Sequence, residues 1–310
     1  MAGFDQMKLQ DVSEDRLLEI LLADLPIGRN TLVGPGDDCA VVKGAGIREL
    51  LLLKTDCVVE GVHYLAEDEP QRVGWKALCR PLSDVAAMGG EPLHALVSVM
   101  SPEDRSVAYW KSLYKGLSKA AGRFGVDIVG GETSRSQRAA VSVFLVGRVE
   151  AGRLVTRSGG KPSDLLFVTG TLGGSRAGRH LDFIPRLIEG RWLGAHGYAR
   201  AMIDLSDGLA ADLPRLAAAS KCGFQIDSSA LPKARGSDSA HAMSDGEDYE
   251  LLIAVAPRLA DRLRRGWKET FPSVRLTEIG RLTGPGASST ALPRGFDHFR
   301  VARVPSTKES

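Results

Sequence analysis

Acidic residues recur at the ends of apolar segments along the chain, and this pattern limits what the chain can fold into and bind. The first case is the glycine-rich segment Gly34–Ala40, in which Asp37 and Asp38 precede apolar residues. A turn that enters a strand explains the glycines and the proline, but it does not require two adjacent carboxylates. Similar groups follow at Thr55-Asp56, Ser83-Asp84, Gly131-Glu132 and Asp204-Leu205-Ser206-Asp207. Carboxylates placed repeatedly at the ends of elements indicate a site for a hard cation such as Mg²⁺.

The composition is that of a globular protein with almost no net charge. The chain has 310 residues, with 40 basic and 38 acidic side chains, and this length favours two domains. No dense block of lysine and arginine with interleaved aromatics occurs, which argues against nucleic acid as a partner. The longest apolar runs are the length of a strand, so we expect neither a signal peptide nor a membrane span.

The cysteines favour a reducing compartment. They form no Cys-x-x-Cys pair, and each lies among apolar or small residues; they are Cys39, Cys57, Cys79 and Cys222. This pattern is typical of reduced, buried thiols rather than of disulfides or a zinc site. We therefore expect a cytoplasmic protein.

Hydrophobic periodicity predicts helices and strands in both halves, which is typical of an α/β or α+β fold. A turn-rich segment over 157–162 separates the two halves, and a buried strand over 165–170 then opens a second α/β unit. We place the boundary near Glu150. The expected domains are residues 1–150 and 151–310.

Three predicted elements of the N-terminal half carry acidic residues. A strand over 49–54 delivers Thr55-Asp56 at its carboxyl end, and a strand over 126–129 ends at the segment 130–133. Helical spacing over 73–88 places Ser83 and Asp84 on the later part of a helix. Pro81 lies inside this helix, and we expect it to bend or interrupt it.

The standard nucleotide motifs do not occur. The chain has neither a Gly-x-x-x-x-Gly-Lys-Ser/Thr run nor a kinase His-Arg-Asp triplet. A nucleotide triphosphate would therefore be held mainly through metal ions, because Mg²⁺ bridges carboxylates to phosphate oxygens. Several acidic and polar residues also have purely structural explanations. Ser206 or Asp207 is a suitable N-cap, His63 is typical of a half-buried, hydrogen-bonded histidine, and Glu247-Asp248 is typical of a solvated loop.

Seven segments, taken together and in order, resemble the thiamine-monophosphate kinase family over residues from about 13 to 300. Single motifs are shared with a wider superfamily that includes aminoimidazole ribonucleotide synthetase and selenophosphate synthetase, but Val59–His63 and Gly246–Leu251 narrow the resemblance to the kinase. The segments are Gly36–Asp38, Lys54–His63, Leu82–Gly89, Gly130–Thr133, Thr156–Gly159, Ile203–Leu209 and Gly246–Leu251.

The resemblance implies a fold and an activity. The fold is a two-domain aminoimidazole ribonucleotide synthetase-like fold with a C-terminal α/β domain. Two copies form a homodimer through their N-terminal domains, whose strands close a β-barrel across the interface. The activity is ATP-dependent phosphorylation of thiamine monophosphate to thiamine diphosphate, by direct in-line transfer with several Mg²⁺ ions, and K⁺ is a further candidate cation. The site lies in the cleft between the domains.

The resemblance also implies roles for residues at matching positions. The metal ligands are Asp38, Thr55, Asp56, Asp84, Glu132, Asp204 and Asp207. The contacts to ATP are Gly131, Glu132, Arg157 and Ser206. The contacts to thiamine monophosphate are His63, Glu247 and Phe296. Within these sets, the residues expected to act directly in the transfer are Asp56, Asp84, Arg157 and Asp207.

Four positions depart from the family pattern. Glu132 stands where aspartate is common, Pro81 where proline is unusual, and Asp245 where glycine is usual. Lys54 stands where a small residue is frequent, and its ammonium group cannot bind a metal ion. Two alternatives stay open: another ATP-using enzyme of the superfamily, and a non-catalytic nucleotide-binding protein with a decayed site. The retained aspartates argue against decay, because clustered carboxylates without a metal destabilise a fold.

Overall fold

The computed structural model describes residues 8–9, 12–46, 48–287 and 290–293, which form two β-sheets with helices packed around them. The elements, apart from short 3-10 segments, are α1 (Glu14–Leu22), β1 (Thr31–Val33), β2 (Ala40–Lys43), β3 (Glu49–Val59), α2 (Pro70–Ala87), β4 (Glu91–Ser101), α3 (Val107–Phe124), β5 (Asp127–Arg135), β6 (Ala140–Glu150), β7 (Leu165–Thr169), α4 (Leu187–Ala195), β8 (Ala199–Asp204), α5 (Leu209–Ala219), β9 (Gly223–Ile226), α6 (Ser239–Ser244), β10 (Leu251–Val255), α7 (Pro257–Thr270) and β11 (Leu276–Thr283).

The N-terminal sheet has six strands in the order β1-β2-β3-β6-β4-β5. Its pairs are antiparallel except for β4 and β5, which run parallel. Because side chains alternate along a strand, the face of β3 that carries Leu50 and Leu52 also carries Lys54 and Asp56. Leu50 and Leu52 are buried in the core beneath α2. The side chains of Lys54 and Asp56 therefore point towards α2.

Helix α2 is the central element of the molecule. Residues 73–79 and 81–87 of this helix are buried, because it contacts β3 and β6 of the first sheet and β8 of the second. Burial on all sides explains why apolar residues occur around the whole helix. Pro81 does not interrupt it, and α2 runs on to Ala87. The expected interruption is wrong, because packing on every side holds a helix that lacks one internal hydrogen bond.

The C-terminal sheet has five strands in the order β8-β10-β7-β11-β9, and every pair is antiparallel. One face, with Phe167 and Ile253, belongs to the core shared with α2. The other face, with Leu166 and Leu252, packs against α5 in a second core. The molecule is therefore a mixed α and β structure in which α2 lies between two sheets.

Two strands extend further than expected from the sequence. β3 continues through Thr55-Asp56 to Val59, and β5 continues through Gly131 and Glu132 to Arg135. The predicted strand ends at these acidic residues are wrong. Pairing explains both cases. β3 is matched residue for residue by β6, and β5 is paired with β4 along its length with one register shift at Val129, so the backbone stays extended.

The face of the N-terminal sheet that points away from α2 is partly apolar. Leu96 and Val129 are 42% and 60% exposed, and Phe144 and Val146 are half-buried. Thr55 is exposed on this face. Among the described ranges, no helix has both the length and the hydropathy of a membrane span.

Candidate active site

Three aspartates from three different elements meet between the two sheets. Asp38 precedes β2, Asp84 lies on α2 and Asp204 ends β8, and one carboxylate oxygen of each lies within 4.8 Å of the others. The three residues are only 1%, 5% and 3% exposed. The family resemblance predicts a metal-binding role for all three, and the fold brings their carboxylates together from both halves of the chain.

The chemistry of this three-aspartate group fits a divalent cation. The Oδ2 atom of Asp38 is buried and accepts no hydrogen bond, which costs free energy unless a cation lies beside it. Burial and the charge of Asp38 raise the pKa of Asp204 to about 7. Burial also raises the pKa of Asp84, together with the charges of Asp204 and Asp56. Clustered oxygen ligands of this kind suit Mg²⁺.

Arg157 holds the glycine-rich turn onto the second half of the chain. Its Nε and Nη2 atoms donate to Oδ1 of Asp38 at 3.1 and 2.5 Å. Its backbone N–H donates to both oxygens of Asp37, at 3.2 and 3.1 Å. The two neighbouring acids therefore differ: Asp38 faces the three-aspartate group, and Asp37 fastens the turn.

Asp56 lies beside this group but has cationic partners. Its carboxylate is 3.6 Å from Nη2 of Arg80 and 4.0 Å from Nζ of Lys54. Burial raises the pKa of Asp56, but the charges of Lys54 and Arg80 outweigh burial and hold it below its usual value. Asp56 is therefore ionised and paired.

Asp207 is separate from the three-aspartate group. Its Oδ2 atom accepts a hydrogen bond from Nη1 of Arg215 at 2.5 Å, and its backbone N–H donates to Asp212 at 3.0 Å. Ser206 and Asp207 line the neighbouring pocket. Neither residue caps α5 with its side chain, since its N-cap is Gly208, so the capping alternative is wrong.

A pocket of about 520 Å³ holds two of the three expected substrate contacts, His63 and Glu247. His63, Arg80 and Glu247 line it, together with Ser206 and Asp207. The ring of His63 accepts a hydrogen bond from the backbone of Val59 at 3.1 Å. This volume suits a small organic ligand.

Glu247 is held at the pocket by two basic side chains. Its Oε2 atom lies 2.6 Å from Nζ of Lys76 and 2.8 Å from Nδ1 of His180. Burial raises the pKa of Glu247, but the hydrogen bond from His180 and the charge of Lys76 lower it to about 2. Burial lowers the pKa of Lys76 to about 8 against the charge of Glu247. Both members of the pair are therefore charged at neutral pH.

The loop that carries Glu247 is held in an unusual backbone conformation. Glu247 and Tyr249 have φ angles of 55° and 51°, which cost free energy for residues other than glycine. Asp248 is buried, and it accepts hydrogen bonds from the backbone of Gly173 at 3.0 and 3.1 Å and from Arg179 at 2.7 Å. The solvated-loop alternative is wrong, because Asp248 fixes the loop while Glu247 faces the pocket.

Comparison with known proteins gives one consistent family. Residues 36–149 match the AIR synthase related protein N-terminal domain, and residues 161–291 match the corresponding C-terminal domain. The thiamine-monophosphate kinase of Aquifex aeolicus is 35% identical over 94% of this chain and 100% of its own length. The Escherichia coli K12 enzyme is 33% identical over 86% and 92%. The chain belongs to the thiamine-monophosphate kinase family.

Solved structures agree with this membership. The structure of AaThiL complexed with AMPPCP and TMP has a TM-score of 0.78 and 33% identity, and covers 94% of this chain and 99% of its own. The structure of tt0281 from Thermus thermophilus has a TM-score of 0.79 and 28% identity, and covers 93% and 100%. The two-domain fold expected for a thiamine-monophosphate kinase is therefore confirmed.

Some expected site residues of this family member lie apart from the three-aspartate group. The hydroxyl of Thr55 lies 3.5 Å from Ser142 on the opposite face of the sheet. Gly131 and Glu132 lie on β5, at the edge of the sheet. Phe296 lies outside the described residues. One chain thus assembles part of the expected set.

The sequence analysis missed four basic residues at the site: Lys76, Arg80, His180 and Arg215. Lys76 is fully buried on α2, and its place within an otherwise apolar helical pattern is a signal that was available. Arg80 is one turn further along the same helix. His180 and Arg215 give no comparable signal, because only the folded chain brings them to Glu247 and Asp207.

Proposed function

We propose that this chain transfers the γ-phosphoryl group of ATP to thiamine monophosphate and so forms thiamine diphosphate. The observation that carries the proposal is the buried three-aspartate group beside the pocket of Glu247. The names of the relatives support the proposal, as does the solved AaThiL complex with AMPPCP and TMP.

The three-aspartate group and Arg157 have different roles in binding the phosphates and in compensating their charge. Mg²⁺ held by Asp38, Asp84 and Asp204 would supply the positive charge that draws two anionic phosphates together. Arg157 is a further counter-charge beside Asp38. The attacking phosphate oxygen of thiamine monophosphate is already ionised at neutral pH, so the transfer needs no general base.

The pocket supplies orientation. We assign the substrate contacts to His63 and Glu247, with Phe296 as a third expected contact. We assign Ser206 to ATP and Asp207 to a further cation, as the family resemblance implies, and both line the same pocket as Glu247. Glu247 is paired with Lys76 and lies 2.8 Å from His180, so it offers the cationic thiazolium ring a carboxylate in a fixed position.

A homodimer would complete the nucleotide site. Gly131 is level with Asp56 in the sheet but three strands away, which is roughly 14 Å at the usual strand spacing. In a pair closed through the N-terminal sheets, Gly131 and Glu132 would approach the partner's site instead. A barrel across this interface would also cover Leu96 and Val129, which are otherwise exposed apolar side chains.

The two halves keep the division at residue 150, with residues 1–150 for the cation, nucleotide and dimer contacts and residues 151–310 for Asp204 and Glu247. We place the protein in the cytoplasm, where ATP and Mg²⁺ are supplied and its thiols stay reduced. In the described part of the chain, the four cysteines are free.

One assay tests the proposal. Purified protein is mixed with ATP, Mg²⁺ and thiamine monophosphate, and thiamine diphosphate is measured by chromatography. We expect product with the wild type and a loss of at least about 100-fold in turnover for Asp204→Asn. The control is Asp261→Asn, which replaces an exposed residue on α7. If the wild type binds ATP but forms no product, the chain is not this kinase. Light scattering on the same sample measures the expected dimer.

A further inference from the structure

Lys54 brings a fixed positive charge into the acidic site. Its Nζ atom lies 2.6 Å from Oδ1 of Asp84 and 4.0 Å from Oδ2 of Asp56. The face of β3 that holds Lys54 also holds Asp56, so the ammonium group points to the same space as the carboxylates. Lys54 is thus a built-in partner of two expected metal ligands.

Arg80 supports the same arrangement from α2. Its Nη2 atom lies 3.6 Å from Asp56, and its Nη1 atom donates to the backbone carbonyl of Cys57 at 3.1 Å. Two cationic side chains therefore face Asp56, and one of them also faces Asp84. The carboxylates of Asp56 and Asp84 therefore already have positive charge beside them, which a divalent cation would otherwise supply.

An ammonium group and a divalent cation exclude each other at this point. Mg²⁺ binds oxygen at about 2.1 Å, and an ion bridging Asp56 to Oδ1 of Asp84 would stand against Nζ of Lys54. Two positive charges at such close range repel each other strongly in a buried site, where water screens them little. The ammonium group has no lone pair to offer the metal.

The other side of Asp84 is different. There, Asp38 and Asp204 approach within 4.8 Å, and the buried Oδ2 atom of Asp38 has no hydrogen-bond partner. Arg157 and Ser83 contact one oxygen each of Asp38 and Asp204. This side therefore keeps free oxygen atoms for a cation.

We propose that Lys54, supported by Arg80, takes the place of a divalent cation between Asp56 and Asp84. Asp84 then binds a cation only on the side of the three-aspartate group, and Asp56 acts as the counter-ion of Lys54 and Arg80. The inference rests on the proposed function, since it concerns the same acidic residues. Its test measures metal binding and stability, and it involves no phosphoryl transfer.

The first experiment counts bound Mn²⁺ per subunit by equilibrium dialysis, with and without AMPPCP. Lys54→Thr removes the charge and leaves space and a hydroxyl group, so we expect one more Mn²⁺ per subunit than in the wild type. Lys54→Arg keeps the charge and should match the wild type. The matched control is Lys43→Thr, an exposed lysine on the neighbouring strand. Equal counts in Lys54→Thr and the wild type would overturn the proposal.

A second readout follows the thermal unfolding midpoint of the same proteins. In EDTA, Lys54→Thr should unfold several degrees below the wild type, because Asp56 and Asp84 lose their shared cation. Saturating Mn²⁺ should restore most of this loss. A loss that Mn²⁺ does not restore would contradict the replacement of a metal ion by Lys54.

Crystals of the wild type soaked in Mn²⁺ test the proposal even if Lys54→Thr does not fold. We expect anomalous density within the three-aspartate group and none between Asp56 and Asp84. Density between Asp56 and Asp84 would overturn the proposal. A wild type with the expected Mn²⁺ positions but no thiamine diphosphate formation would reject the proposed function and leave this inference intact.

Discussion

Lys76 is fully buried, and its ammonium group contacts three residues that line the pocket. Its Nζ atom contacts Oε2 of Glu247 at 2.6 Å, the carbonyl of His63 at 2.6 Å and the ring of His180 at 2.7 Å. It therefore joins both expected substrate contacts, His63 and Glu247, from one position on α2. A residue that touches both can set their separation.

Replacing Lys76 should weaken substrate binding more than turnover. Lys76→Met leaves the buried carboxylate of Glu247 with His180 alone, and we expect the KM for thiamine monophosphate to rise by about tenfold or more, which corresponds to about 1.4 kcal/mol. Steady-state kinetics at saturating ATP measure the effect. Lys119→Met, an exposed change on α3, is the control. An unchanged KM in a folded Lys76→Met protein would show that Lys76 only fills space.

Asp204 should make the metal-free protein less stable as the pH rises. The pKa of Asp204 in the folded chain is about 7, against an ordinary value of 3.8. Between pH 3.8 and about 7, the carboxyl group is therefore protonated in the folded state and ionised in the unfolded state. The stabilisation is complete below about pH 4 and is lost as the pH rises through about 7, by at most about 1.4 kcal/mol per pH unit.

Thermal unfolding in EDTA from pH 5 to pH 8 measures this dependence. The midpoint of the wild type should fall with pH, and Mg²⁺ should reduce the fall because it binds the ionised carboxylates. Asp204→Asn should flatten the curve in part, since burial raises the pKa of Asp37 to about 6 in the same direction. The same slope in Asp204→Asn and in the wild type would contradict the assignment.

At the scale of elements, α2 and α3 cross so closely that only glycine fits at the crossing. A Cβ atom on Gly74 would lie 1.9 Å from the carbonyl oxygen of Leu113, and one on Gly116 would lie 1.8 Å from that of Gln71. These contacts are with backbone atoms, which cannot rotate away. The crossing lies in the N-terminal half of α2 and holds this half of the helix against α3.

Gly116→Ala should therefore destabilise the protein although alanine favours helices. We expect a loss of about 2–4 kcal/mol, in the range of overpacked cores, measured by urea unfolding. Gly122→Ala on the same helix is the control, because nothing lies within 4 Å of its Cβ position, and it should be neutral or stabilising by up to about 1 kcal/mol. Equal stability of the two variants would contradict the close crossing.

The elements also show which features can be predicted from a sequence. The local pattern of acidic residues marks Asp38, Asp84 and Asp204 as candidates, and the family resemblance predicts that they bind metal ions. The ends of β3 and β5 cannot be predicted in this way, because the residues that extend them are partners on β6 and β4, far away in the sequence. The uninterrupted α2 at Pro81 likewise depends on packing from both sheets.

At the scale of the whole molecule, one core crosses the expected domain boundary. It joins Leu52 and Leu82 of the N-terminal half to Phe167, Ile253 and Trp267 of the C-terminal half. A division at residue 150 is therefore a division of the sequence, whereas the buried apolar surface is shared. A shared core of this kind favours unfolding of both halves in a single transition.

A destabilising substitution in the core of the C-terminal half should then also lower the stability of the N-terminal half. Leu252 is fully buried on the face of β10 that packs towards α5. Leu252→Ala should cost about 2–5 kcal/mol. The probe is Trp110 on α3, whose ring N–H donates to Ser101 within the N-terminal half. Its signal is isolated by replacing the other tryptophans, Trp75, Trp192 and Trp267, with phenylalanine.

Urea unfolding followed through Trp110 should shift to lower urea in Leu252→Ala by the same amount as the circular dichroism of the whole chain. The reason is that α2 carries Leu82 into the shared core, and the N-terminal sheet loses that support when β10 unfolds. A Trp110 transition that keeps its midpoint while circular dichroism shows an earlier step would mean that the two halves fold independently. In that case, Asp38 and Asp204 would be brought together by the docking of two domains and not by one common core.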